Sequence, residues 1–383
     1  MNDNMQIKAY QRENFDKLRV FIDQNVERDH LFARDERYLS WQFDSARSPR
    51  SIFKNPALLL AWEGPRIVGM IGLISCALNI QGKVFPAVWI STWFCLPEAK
   101  INGAGLNLFL KVHQLGYEAV CVLGMSELAK GIYKAFHYEM MEDVPRWIKV
   151  MDFEKTVGLL EEVLPQYSSG AIKIFCKNYF NQDKGAVKDK ADIVVAPFAG
   201  PFTRDWDESW RENFAPGLIS TNRDAAYLNW RYVQHPYFSY IAIVARAKEN
   251  RRILGLAVYR IEIIHGREDK ILRIMEFLSL PECAQQLTSA IIRDAEKHGV
   301  LFIDFYCSNH KVGKSLESGG FKYFLCQERA LFFPTRFQPL ENAYFKTTAA
   351  IWTSKFLKNK YGHLFTEEAL YITKSDSDRD RPN

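Results

Sequence analysis

The chain of 383 residues has no apolar run approaching the ~18 to 20 residues that a membrane-crossing helix needs, and its start, MNDNMQIKAYQREN, lacks the basic-then-apolar design of a secretion signal. Both absences point to the cytosol as the place of work. Cysteine is sparse and unpatterned. Its seven residues (Cys76, Cys95, Cys121, Cys176, Cys283, Cys307, Cys326) form no C-x-x-C pair, number oddly and lie mostly in apolar runs, which predicts buried free thiols and no metal site. Charge of one sign is also missing. Fifty Lys plus Arg against 45 Asp plus Glu leave a net charge of only +5 with no long basic run, so no dedicated nucleic-acid surface is expected. A mildly cationic cleft for a phosphorylated small molecule stays compatible with this balance. Apolar and aromatic material is abundant, at 48% and 14%, and the length exceeds one ordinary core, so two domains are expected.

The two domains are related by a repeat. RDERYLSWQF at residues 34–43 returns as RDAAYLNWRY at 223–232, and the segments after each copy keep the same order. ALLLAW (57–62) and RIVGMIGLISCAL (66–78), separated by Glu63-Gly64-Pro65, correspond to YIAIVARA (240–247) and RILGLAVYRIEI (252–263). VFPAVWISTWFCLPE (84–98) and ILRIMEFLSLPE (271–282) both end in Leu-Pro-Glu. A helix-length segment (105–116 or 283–298), a buried-type strand (119–124 or 301–307), a second helix and a final strand complete each copy. The order is α/β, given twice, with strands in a meander before the first crossover helix. The expected division is 1–150, a helical linker at 151–200 with a polar hinge at 181–192, 201–335, and an appended 336–383. The last piece is predicted to hold a helix over 341–361 and a polar tail, TKSDSDRDRPN, ordered only if it docks.

Within the repeated motif, Asp35 and Asp224 are suited to cap helices, and Tyr38/Trp41 and Tyr227/Trp230 stand three apart on one helical face. An aromatic pair there reads as a packing anchor. Arg34 and Arg223, just ahead of the helix, have more freedom to face a cleft.

The copies differ after Leu-Pro-Glu. In the first, AKINGAGLNLFLKV (99–112) runs a Lys-x-x-Gly-x-Gly loop into a helix, where backbone N–H groups and the positive helix end suit a pyrophosphate. In the second, CAQQLTSAIIRDA (283–295) has Leu287 and Ser289 where the first has Gly103 and Gly105. An anion cradle is expected in the first half only.

Lys100-Ile101-Asn102-Gly103-Ala104-Gly105 resembles the acyl-CoA loop, Gln/Arg-x-x-Gly-x-Gly/Ala, of the GCN5-related N-acyltransferase (GNAT) superfamily, with Lys100 at the usual Gln or Arg. SELAKGIYKAFHY is similar to that superfamily's Asn-x-x-Ala-x-x-Leu/Phe-Tyr-x-x-x-Gly-Phe, with Ser126, Ala129, Tyr133 and His137-Tyr138 on the matching places. In the second half Asn309, Leu316, Gly320 and Phe321 match, but the Tyr is gone. The resemblance implies two tandem GNAT-like domains, each a mixed, mostly antiparallel sheet flanked by helices, the second degenerate. It implies acetyl-CoA or another acyl-CoA as co-substrate, without a metal, bound by the edge Phe94, Cys95, Leu96 and by Lys100 to Leu106, with Ser126 nearby. It also implies a bulge that splays the fourth and fifth strands, and Tyr133 as the acid that protonates the departing thiolate. No general base is legible: VWISTWFC offers Ser91 and Thr92 where the superfamily often has Glu, and Glu127 and His113 are the nominal candidates. The acceptor is expected to be a small amine in a cleft between the halves, an amino sugar of the kind handled in surface-polysaccharide synthesis, with Arg34, Arg223 and Arg231 meeting its phosphates and Glu127 beside it. Two alternatives stay open: a Fem-type transferase that uses aminoacyl-tRNA, and a non-catalytic binding protein in which both copies have decayed.

Overall fold

A computed structural model describes residues 5–43, 55–180, 192–324 and 330–380. The strands in chain order are β1 (Met5–Ala9), β2 (Leu58–Glu63), β3 (Arg66–Ile80), β4 (Lys83–Cys95), β5 (Ala119–Leu123), β6 (Glu139–Met141) and β7 (Arg146–Val150). They continue with β8 (Ile193–Pro197), β9 (Ile219–Thr221), β10 (Ile241–Ala247), β11 (Ile253–Ile263), β12 (Lys270–Ser279), β13 (Phe302–Tyr306), β14 (Lys322–Phe324) and β15 (Ala349–Thr353). The β3–β4 hairpin is long because both strands are apolar along most of their length, and Gln81 and Gly82 turn it with positive φ at both positions, the pair that suits the right-handed twist of strands.

Two mixed sheets result, in the orders β1-β2-β3-β4-β5-β15-β6 and β8-β10-β11-β12-β13-β7-β14, with β9 added beside β3. Each is antiparallel except where β4 meets β5 and β12 meets β13, the pairs joined through a crossover helix. The two orders are the same order, with one exchange. The strand after β6 in the chain, β7, fills the place between β13 and β14, and the strand from the other half, β15, fills the place between β5 and β6.

This exchange revises the expected layout of the chain ends. Residues 146–150, at the end of the stretch taken as the first domain, are paired in the second sheet. Helices Phe153–Val163 and Ser169–Tyr179, expected as a linker, pack with Ile148, Phe302 and Phe333 into a core of their own. The polar hinge at 181–192 lies outside the described residues but for Asp192. The helix expected over 341–361 is a strand followed by a short helix, Lys355–Tyr361. Ala349, Ala350 and Ile351 are buried and ladder-bonded on both edges, and that pairing overrides their helical spacing.

The repeated motif meets its own copy. Asp35 and Asp224 accept backbone bonds from Arg37 and Tyr227, opening the helices that carry the tryptophans. Trp41 and Trp230 stack with centroids 4.8 Å apart, and each indole N–H donates to the other residue's carbonyl, at 3.2 and 3.1 Å. The anchor expected from the sequence therefore joins the two halves. Trp230→Ala is expected to lower stability by roughly 3 to 5 kcal/mol, the range for truncating a large buried aromatic. A loss below about 1 kcal/mol in urea unfolding would show that the halves are held together elsewhere.

Candidate active site

The chain leaves β4 at Cys95, makes a short helix, Pro97–Ile101, and breaks it at Gly103 (φ +80°) before starting the helix Ala104–His113. No side chain caps that helix, and in its first turn Ala104 is buried while Gly105 and Leu106 reach the surface, so the open amides of the turn lie at Gly105 and Leu106. The ammonium of Lys100 lies 5.7 Å from the centre of the Phe94 ring beside this loop. Ile101 and Leu106 are exposed, at 88% and 43%. A Cβ at Gly105 would meet only ordinary contacts, the nearest at 3.7 Å, so the protein's own packing does not demand glycine there. The second half has no such break: its helix runs from Ala284 to His298, and the amide of Leu287 is already bonded to the Cys283 carbonyl at 3.0 Å. The equivalent amides are used up inside a helix.

Strands β4 and β5 are paired only between Ala87–Ile90 and Ala119–Val122 and then part. On the other side of β4 the register against β3 slips, with Ser91 opposite Gly72 and Phe94 opposite Met70, and Thr92 takes φ +40° in the bulge. Phe94 and Cys95 are bonded to β3 alone among the described strands, and Leu96 donates its amide to Val68. Burial raises the Cys95 thiol to about 11, with Lys100 pulling the other way. The parted strands enclose a cavity of about 210 Å³ lined by Thr92, Trp93, Leu123, Ser126 and Tyr133.

Tyr133 is 1% exposed, with its ring edge-on to Trp93 and Phe109 at 5.9 and 5.7 Å. Burial pushes its hydroxyl well above the ordinary value, so it holds its proton. Ser126 caps the helix that carries it, Glu127–Ala135. Glu127 points into solvent and pairs with Lys130 at 3.3 Å, outside the cavity lining. His113 is bonded to the Tyr138 hydroxyl at 3.0 Å behind the cavity, and burial lowers its pKa, which keeps the ring neutral.

The polar tail is docked. Thr373 to Asp380 are nearly all buried, lying between the two halves. On the second half, Thr373 bridges Cys307, the Tyr371 hydroxyl reaches Glu276 at 2.8 Å, Asp376 pairs with Arg223 at 2.8 Å, and Asp380 pairs with Arg260 at 2.8 Å. On the first half, the Thr92 hydroxyl lies 3.1 Å from Asp378 Oδ2, and Arg379 Nε donates to the Leu123 carbonyl at 3.1 Å. Gly124 makes room for that guanidinium, since a Cβ there would sit 1.7 Å from it.

The docked tail corrects part of the expected acceptor site. Arg223 and Arg231, expected to meet a substrate phosphate, are 0% and 2% exposed. Arg223 is held by Glu276 and Asp376, while Arg231 lies over the Trp41 and Trp230 rings and reaches the Ser377 and Asp380 carbonyls. Arg34 is exposed on its short helix, away from both cavities. The sequence reading missed Glu276. When the two Leu-Pro-Glu triplets are superposed it stands at the place of Thr92, a signal that was available in the repeat.

A second cavity, of about 250 Å³, shares Met125, Asp378 and Arg379 with the first. Its wall carries Arg260, Arg273, Arg336, Lys346 and Arg379 against Glu262, Glu341 and Asp378, together with Lys374, whose pKa burial lowers. These cations come from the second half and the chain end. Among the described residues no cluster of His, Cys, Asp and Glu could hold a metal ion, and no helix is long and apolar enough to cross a membrane.

No family profile and no curated protein matches the sequence. Solved structures do match in shape. A GCN5-related N-acetyltransferase from Anabaena variabilis superposes with a TM-score of 0.58 at 12% identity, covering 92% of this chain and 74% of its own. A protein of unknown function from Enterococcus faecalis, described as a probable N-acyltransferase, gives 0.53 at 11%, covering 91% and 72%. Saccharomyces cerevisiae N-myristoyltransferase, solved with myristoyl-CoA and inhibitors, gives 0.50 at 10%, covering 92% and 80%. The fold matches that of a GCN5-related N-acetyltransferase, and the two mixed sheets share one strand order.

The cradle should respond to substitution. Gly103→Val forces a β-branched residue into left-handed backbone at the break that starts the helix, so acetyl-CoA affinity should fall at least about tenfold by calorimetry. Leu287→Ala in the second half should leave it unchanged. The tail should respond to acid. Burial raises the Asp380 carboxyl, but the guanidiniums of Arg260 and Arg231 and the Tyr240 hydroxyl outweigh it and hold the group well below the usual carboxylate range. A depressed pKa contributes stability that is fully present above the unfolded value of ~3.9 and is lost as pH falls below it. Hydrogen-exchange protection of residues 371–380 should therefore persist from neutral pH to about 4 and decay below, and Asp380→Asn should weaken it even at neutral pH.

Proposed function

We propose that the protein transfers an acyl group from a coenzyme A thioester to the amine of a small anionic acceptor. One observation carries the reading: the parted β4–β5 edge and Tyr133 line a cavity that shares Met125, Asp378 and Arg379 with a second, cation-lined cavity, and the strand that forms this edge runs on into the Gly103 break and the uncapped helix behind it. The thioester's phosphates would lie at the amides of Gly105 and Leu106 with Lys100 near, and its arm would pair along Phe94 to Leu96. The acyl carbonyl would reach the bulge at Thr92. Tyr133 is protonated and positioned in the cavity lining, which suits it to give its proton to a departing thiolate. The second half, with no cradle and its own bulge covered by the tail, acts as the wall of the acceptor site.

Arg260 and Arg273 are already balanced by Glu262, Asp304 and Asp380, so the cations that support an acceptor carrying phosphate or carboxylate are Arg336, Lys346 and Arg379. An amino sugar bearing phosphate, free or nucleotide-linked, fits that chemistry. Arg336, Lys346 and Arg379 take the recognition role that the sequence suggested for Arg34, Arg223 and Arg231.

The test is turnover with acetyl-CoA and a panel of amino sugars, their phosphates and their nucleotide conjugates. Phosphorylated members should be acylated and neutral ones poorly used. Tyr133→Phe should slow turnover by ~10² to 10⁴ while acetyl-CoA affinity stays within about twofold. Consumption of aminoacyl-tRNA, with acetyl-CoA inert, would replace this reading with the Fem-type one.

A further inference from the structure

We infer, on the basis of the acyltransferase reading, that Asp378, carried into the site by the docked tail, is the group that receives the acceptor's ammonium proton. It would be the base that β4 lacks. An amine at neutral pH arrives protonated and cannot attack a carbonyl until one proton leaves. The β4 bulge has no carboxylate of its own, since Thr92 stands where the second half has Glu276. The Thr92 hydroxyl is instead bonded to Asp378 at 3.1 Å, so a carboxylate reaches that position from another part of the chain.

Asp378 lies in the lining of both cavities, with Tyr133 in the first and with the cationic wall in the second. An amine whose anionic end is held by that wall has its nitrogen directed to the junction of the two. The segment is fixed on either side of Asp378. Asp376 is bonded to Arg223 at 2.8 Å, and Asp380 to Arg260 at 2.8 Å and to the Tyr240 hydroxyl at 2.6 Å. Those two carboxylates face the second half, whereas Asp378 between them faces the bulge of the first.

In the transfer, the Asp378 carboxylate takes one proton from the ammonium, and the free amine attacks the thioester carbonyl. The C–N bond forms, the C–S bond breaks, and the leaving thiolate takes the Tyr133 proton. The new amide nitrogen gives up its second proton, which restores the Tyr133 phenol, and Asp378 releases its proton to solvent.

The experiment uses the full chain, acetyl-CoA, and O-phosphoethanolamine as a small amine carrying phosphate, with thiol release as the readout and hydrolysis by water as a second readout. Asp378→Asn should lower both rates by at least ~10² at unchanged acetyl-CoA affinity, and Asp378→Glu should recover part of the loss. Hydrogen exchange over residues 371–380 should show the tail still docked in both variants. A rate in Asp378→Asn within about threefold of wild type, at equal acetyl-CoA affinity, overturns the assignment. Loss of activity together with loss of tail protection, without recovery by Asp378→Glu, overturns it as well and leaves Asp378 a docking residue. A wild-type protein that binds acetyl-CoA but releases thiol under neither condition also overturns it. Failure of the wild type to bind acetyl-CoA overturns the acyltransferase reading instead.

Discussion

Arg223 and Arg260 are guanidiniums removed from water, and each is compensated by carboxylates in contact. Part of the counter-charge is local, from Glu276 and Glu262, and the rest comes from Asp376 and Asp380 at the far end of the chain. Removing one partner of such a pair typically costs about 3 to 5 kcal/mol, because the other charge stays behind unbalanced. That constraint fixes the last segment between the halves. It covers the second half's bulge, supplies Lys374, Asp378 and Arg379 to the lining of the cation-lined cavity, and brings Asp378 and Arg379 against the first half. The ion chain continues inward from Arg260 through Glu262, Arg273 and Asp304 to Arg146 on β7. The exchanged strand and the docked tail are thus tied to one electrostatic network.

The two halves have the same strand order and divide the work by small differences. Glycine at 103 breaks a helix and exposes amides, while leucine at 287 continues one and consumes them. Threonine at 92 leaves a bulge open, whereas glutamate at 276 draws in Tyr232, Tyr371 and Ser375 and closes one. One half keeps a cavity at its parted strands, and in the other the bulge is closed by the protein's own chain.

The repeated order of elements along the chain, the helix caps of Asp35 and Asp224, the aromatic anchors and the second half's lack of the glycine break could be read from the sequence, because each is a local pattern repeated or altered at matching places. The exchange of β7 and β15 could not. Arg-Trp-Ile-Lys-Val and Ala-Ala-Ile-Trp-Thr are short strand-like segments, and nothing local says which sheet takes each. The tail misleads for a related reason. Ser-Asp-Ser-Asp-Arg-Asp has the composition of a solvated end, and its order depends on arginines more than a hundred positions away in the chain. Arg223 and Arg231 looked available for a substrate because their partners lay in that segment. Asp378 was hidden by the same distance.

The exchange of strands also governs when the molecule can come into being. As the chain emerges from the ribosome, β5 and β6 appear early but stay unjoined, since Cys121 and Met140 both await residues 350 and 351. β7 is likewise idle until β13 is made. Until then each nascent sheet presents a raw apolar edge, the kind of surface that invites mispairing and chaperone capture. Contacts so distant in sequence also form slowly. Neither sheet is completed by its own half alone, and a premature stop anywhere ahead of β15 leaves the first sheet open.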